Sequence, residues 1–431
     1  MGNVMQVLKI AMAFIGVVVG AGFASGQEML QYFVAFGIKG IWGAVLSGAI
    51  MMFLAVIILQ LGSYYRAGEH GEVFKRVSYP IFSRVLDFGV ILTLFSVGFV
   101  MFAGAGSNMQ QQWGLPLWVG AILMVVLVLA AGMLDVDKVT AVIGAITPFI
   151  LAFVLIASAY TLATTDIDSA QLDAVARETV DTTLPHWTVA AVNSVGFNLM
   201  VAVSMAIVIG GSMFNPRLAG LGGLVGGIGY VFILVVTSLT LFAAVDKVGT
   251  DAMPMLTIVN QIHPWLGQAM AVVIYGMIFN TALGMFYALG KRLTAKNPDR
   301  FKVVYITVTL IGFVLSFIGF QTLVAYVYPV LGYIGLLLIA VMIYGWFRGH
   351  RHIKAESGRR ARLMVLLGLR EAGQLKPAEE QELKAEVAAS NLPQEDIERA
   401  HREDHQGEGT RPRPRHRGRD AEPAHYAERK I

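Results

Sequence analysis

The sequence predicts an all-α integral membrane protein of ten transmembrane helices, arranged as two five-helix halves of opposite orientation. Three observations carry that prediction. Apolar residues make up 56% of the 431 and charged residues 14%, whereas soluble domains average about 45–50% and about 25%; the mean hydropathy is +0.63. A bilayer core of about 30 Å takes roughly 20 helical residues at 1.5 Å each, and ten stretches reach or approach that length: 4–36, 40–64, 82–107, 115–134, 139–163, 187–214, 218–245, 265–290, 302–319 and 321–347. Five spans per half is an odd number, so the second half starts from the opposite face. This permits an inverted repeat (about 4–163 and about 187–347), an arrangement that transporters use with broken helices at matching positions.

The first span is the most informative. Inside it runs "VGAGFASGQE", Val19 to Glu28, with three glycines, two alanines, a serine and a glutamate. Glycine costs about 1 kcal/mol relative to alanine within a helix, so the cluster favours a break. Ser25-Gly26-Gln27-Glu28 reads as S-x-x-E, a capping box that restarts a helix. The expectation is a helix end, an exposed loop and a new helix start at mid-membrane. Glu28 would then sit in a first turn, where the helix dipole favours an anion by roughly 0.3–1 kcal/mol. An isolated carboxylate at mid-span costs at least about 2.5–3.5 kcal/mol, so Glu28 must also meet water, a cation, a proton or a partner. A cap with water access and a ligand for a cation, proton or substrate amine both fit.

Later spans contribute less. "AIVIGGSM" at 206–213 repeats the pattern of "GVVVGAGF" at 16–23, placing an expected second break in span 6 near Ser204, Gly210, Gly211 and Ser212, with close helix packing as the alternative for these small residues. "GAVLSG" at 43–48 reads as small-residue helix packing. Asn193 and Asn198 read as interhelical hydrogen bonds, Thr93 and Ser96 as cavity candidates, and Pro148 and Pro329 as kinks. "GLGGLVGGIG" at 220–229 mimics a dinucleotide fingerprint, but no strand precedes it and it lies in a span.

Charge orients the chain. With the N-terminus inside, the internal loops carry Arg66, Lys75, Arg76, Lys138, Arg217, Lys291, Arg292, Lys296 and Arg300, whereas the external loops carry only Lys39, Arg177 and Lys247. The excess of Lys and Arg marks the cytoplasmic side and puts both termini there, in a bacterial inner membrane. The small residues at 20–26 resemble a signal-peptidase site, but apolar sequence resumes directly with "MLQYFVAFGI". The chain has no cysteine, which excludes disulfide, thiolate and iron–sulfur chemistry. No metal cluster, nucleophile–base pair or phosphate loop points to an enzyme. Residues 348–431 read as a cytoplasmic tail: "RRARLMVLLGLR" as a basic amphipathic helix on the anionic leaflet, "KPAEEQELKAEVAASNLPQEDIERA" as exposed short helices, and "RPRPRHRGRD" onward as disordered. The arginine run reads as a solvated tail, and no nucleic-acid partner is expected.

The segment "GVVVGAGFASGQE" resembles the first span of LeuT-fold transporters of the amino acid–polyamine–organocation superfamily, and in particular the YkvI-type bacterial membrane proteins with their "GAGFASGQE" signature. The likeness covers roughly residues 4–347 in span count and order. It implies a LeuT-like 5+5 inverted repeat with broken helices 1 and 6. It implies that the carbonyls of Gly16 and Val19 face a sodium ion, and that N–H groups around Ala21 and Gly22 receive a substrate carboxylate. Gly20, Phe23, Ser25 and Glu28 complete the first-span half of a substrate site, with Ser204, Gly210 and Gly211 from span 6. The sodium site of the fold is completed by paired hydroxyls on span 8. Thr281 fits, with a bond back to its own helix as the alternative, while Asn280 stands where a hydroxyl is usual. Some relatives replace sodium with a span 5 lysine, and none stands in "TAVIGAITPFILAFVLIASAY". The expectation is a secondary transporter for a small amino-acid-like or amine solute, with Na⁺ or H⁺ as coupling ion and no other cofactor. A membrane sensor or scaffold acting through its tail is the alternative.

Overall fold

The computed structural model of the chain describes residues 2–133, 146–165 and 168–405. α1 (Gly2–Val18) is followed, across a break at Val19 and Gly20, by α2 (Ala21–Ser25), α3 (Gln27–Tyr32) and a 3-10 turn at Val34–Phe36. Then come α4 (Ile38–Tyr65), α5 (His70–Val77), α6 (Pro80–Trp113), α7 (Leu117–Gly132), α8 (Ile146–Thr164) and α9 (Ser169–Thr179). The second half runs through α10 (Trp187–Ser212), α11 (Pro216–Ala243), α12 (Val245–Val248), α13 (Pro254–Ile262), α14 (Pro264–Leu293), α15 (Phe301–Ser316) and α16 (Phe320–Glu371), and the tail adds α17 (Pro377–Ala389) and α18 (Gln394–His405).

Seven described helices (α4, α6, α8, α10, α11, α14 and α16) are long and apolar enough to cross a membrane, and α1 and α7 are shorter apolar helices. With the 16-residue α15, they stand where the ten expected spans were placed. Residues 139–145 of the expected fifth span lie outside the described residues.

Packing follows the two halves. α4 lies along α11, the second long helix of each half. α1 packs on α11 just as α10 packs on α4, and α6 packs on α14. The α6–α7 and α14–α15 contacts also correspond, as do α4–α16 and α11–α8. Exchanging the halves maps each of these contacts onto another of them. The glycine run of α11 makes the central packing close: a Cβ on Gly223 or Gly227 would press on Ala55 or Met52 of α4, and one on Gly222 or Gly226 on Ile10 or Ala11 of α1. Those glycines let backbones approach on both faces, so the fingerprint-like spacing is a packing seam.

Two expectations need correction. α10 is continuous from Trp187 to Ser212, so span 6 carries no internal break. Its glycines serve contact: a Cβ on Gly210 would collide with the Leu59 carbonyl, and one on Gly211 with that of Ala67. The tail does not begin with a new helix either, because α16 runs unbroken for 52 residues, about 78 Å at 1.5 Å per residue. The apolar stripe expected to lie on lipid is covered by protein. Leu363, Leu366 and Leu367 are buried against Leu383 of α17, Ile397 of α18 and Phe214.

Candidate functional site

The break in the first span is a real gap in the hydrogen-bond ladder. Val19 N–H donates to Ile15 O at 2.8 Å, Gly20 N–H turns onto Val18 O at 3.0 Å, and the ladder resumes with Ala24 N–H to Gly20 O at 3.0 Å. Across the gap the carbonyls of Gly16, Val17 and Val19, and the N–H groups of Ala21, Gly22 and Phe23, take no backbone partner among the described residues. Such groups are costly in hydrocarbon unless they line a protein-enclosed cavity. There is room beside them. Among the described residues, no neighbouring atom lies within 4 Å of where a Cβ on Gly20 would stand, and only Thr147 of α8 at 3.8 Å for Gly16.

The restart differs from the capping box expected. Ser25 ends α2, and Gly26 in the left-handed region (φ 82°) turns the chain into α3. Glycine suits that conformation, and it suits the space as well, since a Cβ there would stand 2.8 Å from Met255 Cγ. The Ser25 hydroxyl donates to Gly22 O at 2.8 Å and accepts from Gln27 N–H at 3.2 Å. With the reversal made by backbone, Glu28 is free of cap duty and points across to α10, where its Oε1 accepts from Asn198 Nδ2 at 2.6 Å.

Glu28 is the centre of the site. It is only 4% exposed. Its Oε2 lies 3.2 Å from where a Cβ on Gly22 would stand, with the Tyr328 hydroxyl 3.6 Å from the same point. Tyr32, Tyr230 and Tyr328 lie within electrostatic range of the carboxylate. Phe197 stacks on Tyr328 with ring centroids 4.0 Å apart, and Phe23 faces Tyr230 at 6.4 Å. A second polar link flanks it: Tyr32 donates to Asn193 Oδ1 at 3.0 Å, and Asn193 Nδ2 donates to Pro329 O at 2.9 Å. Pro329 interrupts the ladder of α16, and the Ala325 carbonyl it leaves free accepts from the Thr183 hydroxyl at 2.5 Å. Asn193 and Asn198 are thus the interhelical bonds expected, but Asn198 is also the partner of the buried carboxylate. The tyrosine ring around Glu28 was not legible, because Tyr32, Tyr230 and Tyr328 come from three helices and share no motif.

The other site residues scatter. Gly20, Ala21, Gly22, Phe23 and Glu28 converge at the break. Ser204 lies elsewhere, with its hydroxyl 2.9 Å from His70 Nδ1 of α5. Gly210 and Gly211 lie in the α4 contact. Thr281 Oγ1 donates to Met277 O of its own helix at 3.0 Å, and Asn280 is half-buried beside it. α14, which carries both, packs against α2.

Ser204 belongs to a second polar cluster. Arg292 donates to His70 Nε2 at 2.6 Å and to Asp87 Oδ1 at 2.8 Å. Guanidinium cannot accept, so Nε2 is the acceptor and the proton sits on Nδ1, which donates to Ser204. His70 is therefore neutral here. Burial and the Arg292 charge push its pKa down to about 4, against the opposing pull of Asp87. The folded state then binds fewer protons than the unfolded one between pH 6.5 and about 4. Stability is fully present above pH 6.5 and falls as pH drops through that window, by up to roughly 3 kcal/mol at 1.36 kcal/mol per unit. We expect thermal unfolding of His70→Gln to lose most of the wild-type decline between pH 7 and pH 4.5.

The fold is that of the LeuT-type transporters. Mhp1, described as a nucleobase-cation-symport-1 family transporter in a closed conformation with bromovinylhydantoin bound, aligns with 93% of this chain and 92% of its own at 14% identity and a TM-score of 0.56. Inward-facing Mhp1 gives 0.53 over 81% and 77% of the two chains, also at 14% identity. MhsT in complex with L-phenylalanine gives 0.51 at 17% identity, over 78% and 88%. In sequence the chain is a distant homologue of the uncharacterized membrane protein YkvI of Bacillus subtilis strain 168, 24% identical over 338 residues, or 78% of this chain and 94% of YkvI. The uncharacterized protein YyaD of the same organism is 24% identical over 339 residues, 78% and 96% of the two. No family model matches the chain.

Proposed function

We propose that the chain is a ten-span secondary active transporter of a small amine or amino-acid-like solute, working by alternating access in the cytoplasmic membrane with both termini inside. The observation that carries the reading is the buried Glu28 carboxylate, held by Asn198 against an open break in the first span. A carboxylate among aromatic rings suits an ammonium group, through charge-assisted hydrogen bonds and cation–π contact. The unpaired N–H groups of Ala21 and Gly22 suit the opposite end of a zwitterion. Because α10 is continuous, it offers no unwound carbonyls to the ammonium, and that duty falls to Glu28. The free carbonyls of Gly16 and Val19, with Asn280 and Thr281 on neighbouring α14, are the residues that would hold Na⁺; a proton carried on Glu28 is the alternative coupling ion.

The test is a thermal-shift panel of matched pairs, from ethylamine and alanine to phenethylamine and phenylalanine, with and without Na⁺. Stabilisation follows occupancy. A shift by amines or amino acids is expected, and silence across the panel would remove the reading. Uptake of the responding solute into proteoliposomes then reports the coupling ion. Equal uptake with the Na⁺ and H⁺ gradients both collapsed would remove coupling.

A further inference from the structure

The tail reaches back into the membrane body through one arginine. Arg360, on the extension of α16, is 0% exposed, and all five of its N–H donors are used. Nε donates to Glu356 Oε1 at 3.0 Å. Nη1 donates to Ser63 O at 3.0 Å and Phe214 O at 2.8 Å. Nη2 donates to Tyr64 O and Asn391 Oδ1, both at 2.8 Å. Ser63 and Tyr64 belong to the last turn of α4; Ser63 O also accepts from Arg66 N–H at 3.1 Å, while Tyr64 O is one of the carbonyls left over at a helix end. Phe214 belongs to the turn between α10 and α11, and its ring lies 5.4 Å beneath the guanidinium.

The surroundings repeat the pattern. Asn391, between α17 and α18, donates to Tyr64 O at 2.8 Å. Ser390 donates to Glu356 Oε1 at 2.6 Å. Ser357 donates at 2.9 Å to Asn215 Oδ1, the side chain that caps α11, and accepts from Arg217 N–H at 3.2 Å. One face of the tail therefore caps the end of α4 and the start of α11 together.

α4 packs on both α10 and α11, and α10 and α11 pack on α1; the candidate site lies among α1–α3, α10, α11 and α16. The curated relatives match about 338 residues of this chain and are nearly spanned by the match, which leaves a remainder about the size of the tail.

We propose that the tail is a built-in latch on the transport cycle: Arg360 and Asn391 tie the ends of α4 and of the α10–α11 turn to α16, and the solute path opens on this face only when that tie is released. The latch rests on the transporter reading. Its cost of opening comes from the guanidinium, because moving α4 or the α10–α11 turn away from α16 strands buried Arg360 donors that are otherwise satisfied by Ser63 O, Tyr64 O and Phe214 O.

Hydrogen–deuterium exchange on the full chain in nanodiscs tests this without knowledge of the solute. Asn391→Ala removes one donor and one acceptor of the tie from a loop outside the membrane body, and Arg360→Ala removes its centre. Both are expected to speed exchange about tenfold, the effect of losing one or two net hydrogen bonds, at the amides of residues 12–24 on either side of the first-span break. None of those residues touches Arg360 or Asn391. Arg362→Ala, which breaks the tail's own pair with Glu382 (2.7 Å), should leave those amides at the wild-type rate. Acceleration confined to the tail and the α10–α11 turn, or equal acceleration in Arg362→Ala, would overturn the latch. If Arg360→Ala fails to fold, Asn391→Ala decides alone. Failure here leaves the solute site standing, since that is judged by the amine and amino-acid panel.

Discussion

Gly22→Leu abolishes solute binding while the protein keeps its fold. Gly22 is half-buried, and what a side chain there would meet is soft: Glu28 Oε2 at 3.2 Å and the Tyr328 ring and hydroxyl at 3.6 Å. No backbone stands in the way, so a leucine can be accommodated by moving the carboxylate aside, into the space a guest would use. The expected readings are an unchanged melting temperature without solute and no stabilisation by any solute that shifts the wild type. Glu28→Gln keeps the shape and the Asn198 neighbour and removes only the charge. A hydrogen bond to a charged group is worth about 1.5–3 kcal/mol, so amine affinity should fall about ten- to a hundredfold. Full amine binding in both variants would place the solute elsewhere.

How much of this was legible in the sequence depends on the kind of physics involved. The break was legible because it is local. Three glycines in eight residues weaken a helix, and they open it here where space lies beside them, whereas the denser glycine run of α11 stays helical because α4 and α1 pack on it. The capping box was misread because S-x-x-E describes two ways of starting a helix. Gly26 at positive φ makes the turn by itself, and only tertiary structure shows that the nearest donor for Glu28 is Asn198, 170 residues away. The tail was misread for a related reason. An apolar stripe on a basic helix looks the same whether lipid or protein covers it. Nothing in "RRARLMVLLGLR" announces that Arg360 finds carbonyls nearly 300 residues upstream.

The second glycine pair makes the sharpest contrast. "GVVVGAGF" and "AIVIGGSM" share a pattern, yet the first opens a helix and the second does not. The difference lies in what each glycine faces. Among the described residues there is space beside Gly20, whereas beside Gly210 and Gly211 there is backbone, the carbonyls of Leu59 and Ala67, while Gly62 on α4 meets Ile207 O in return. A Cβ can push a side chain into another rotamer, but it cannot push a peptide group without moving the helix that holds it. Gly211→Val should therefore act on the fold. Overpacking costs typically about 1–3 kcal/mol, and more where rigid backbone is displaced, so we expect a lower melting temperature and poor recovery of folded protein. Whatever fraction folds should bind solute with wild-type affinity, because Glu28 and Asn198 are untouched. A stable Gly211→Val protein that has lost binding would return this pair to the role of a second hinge.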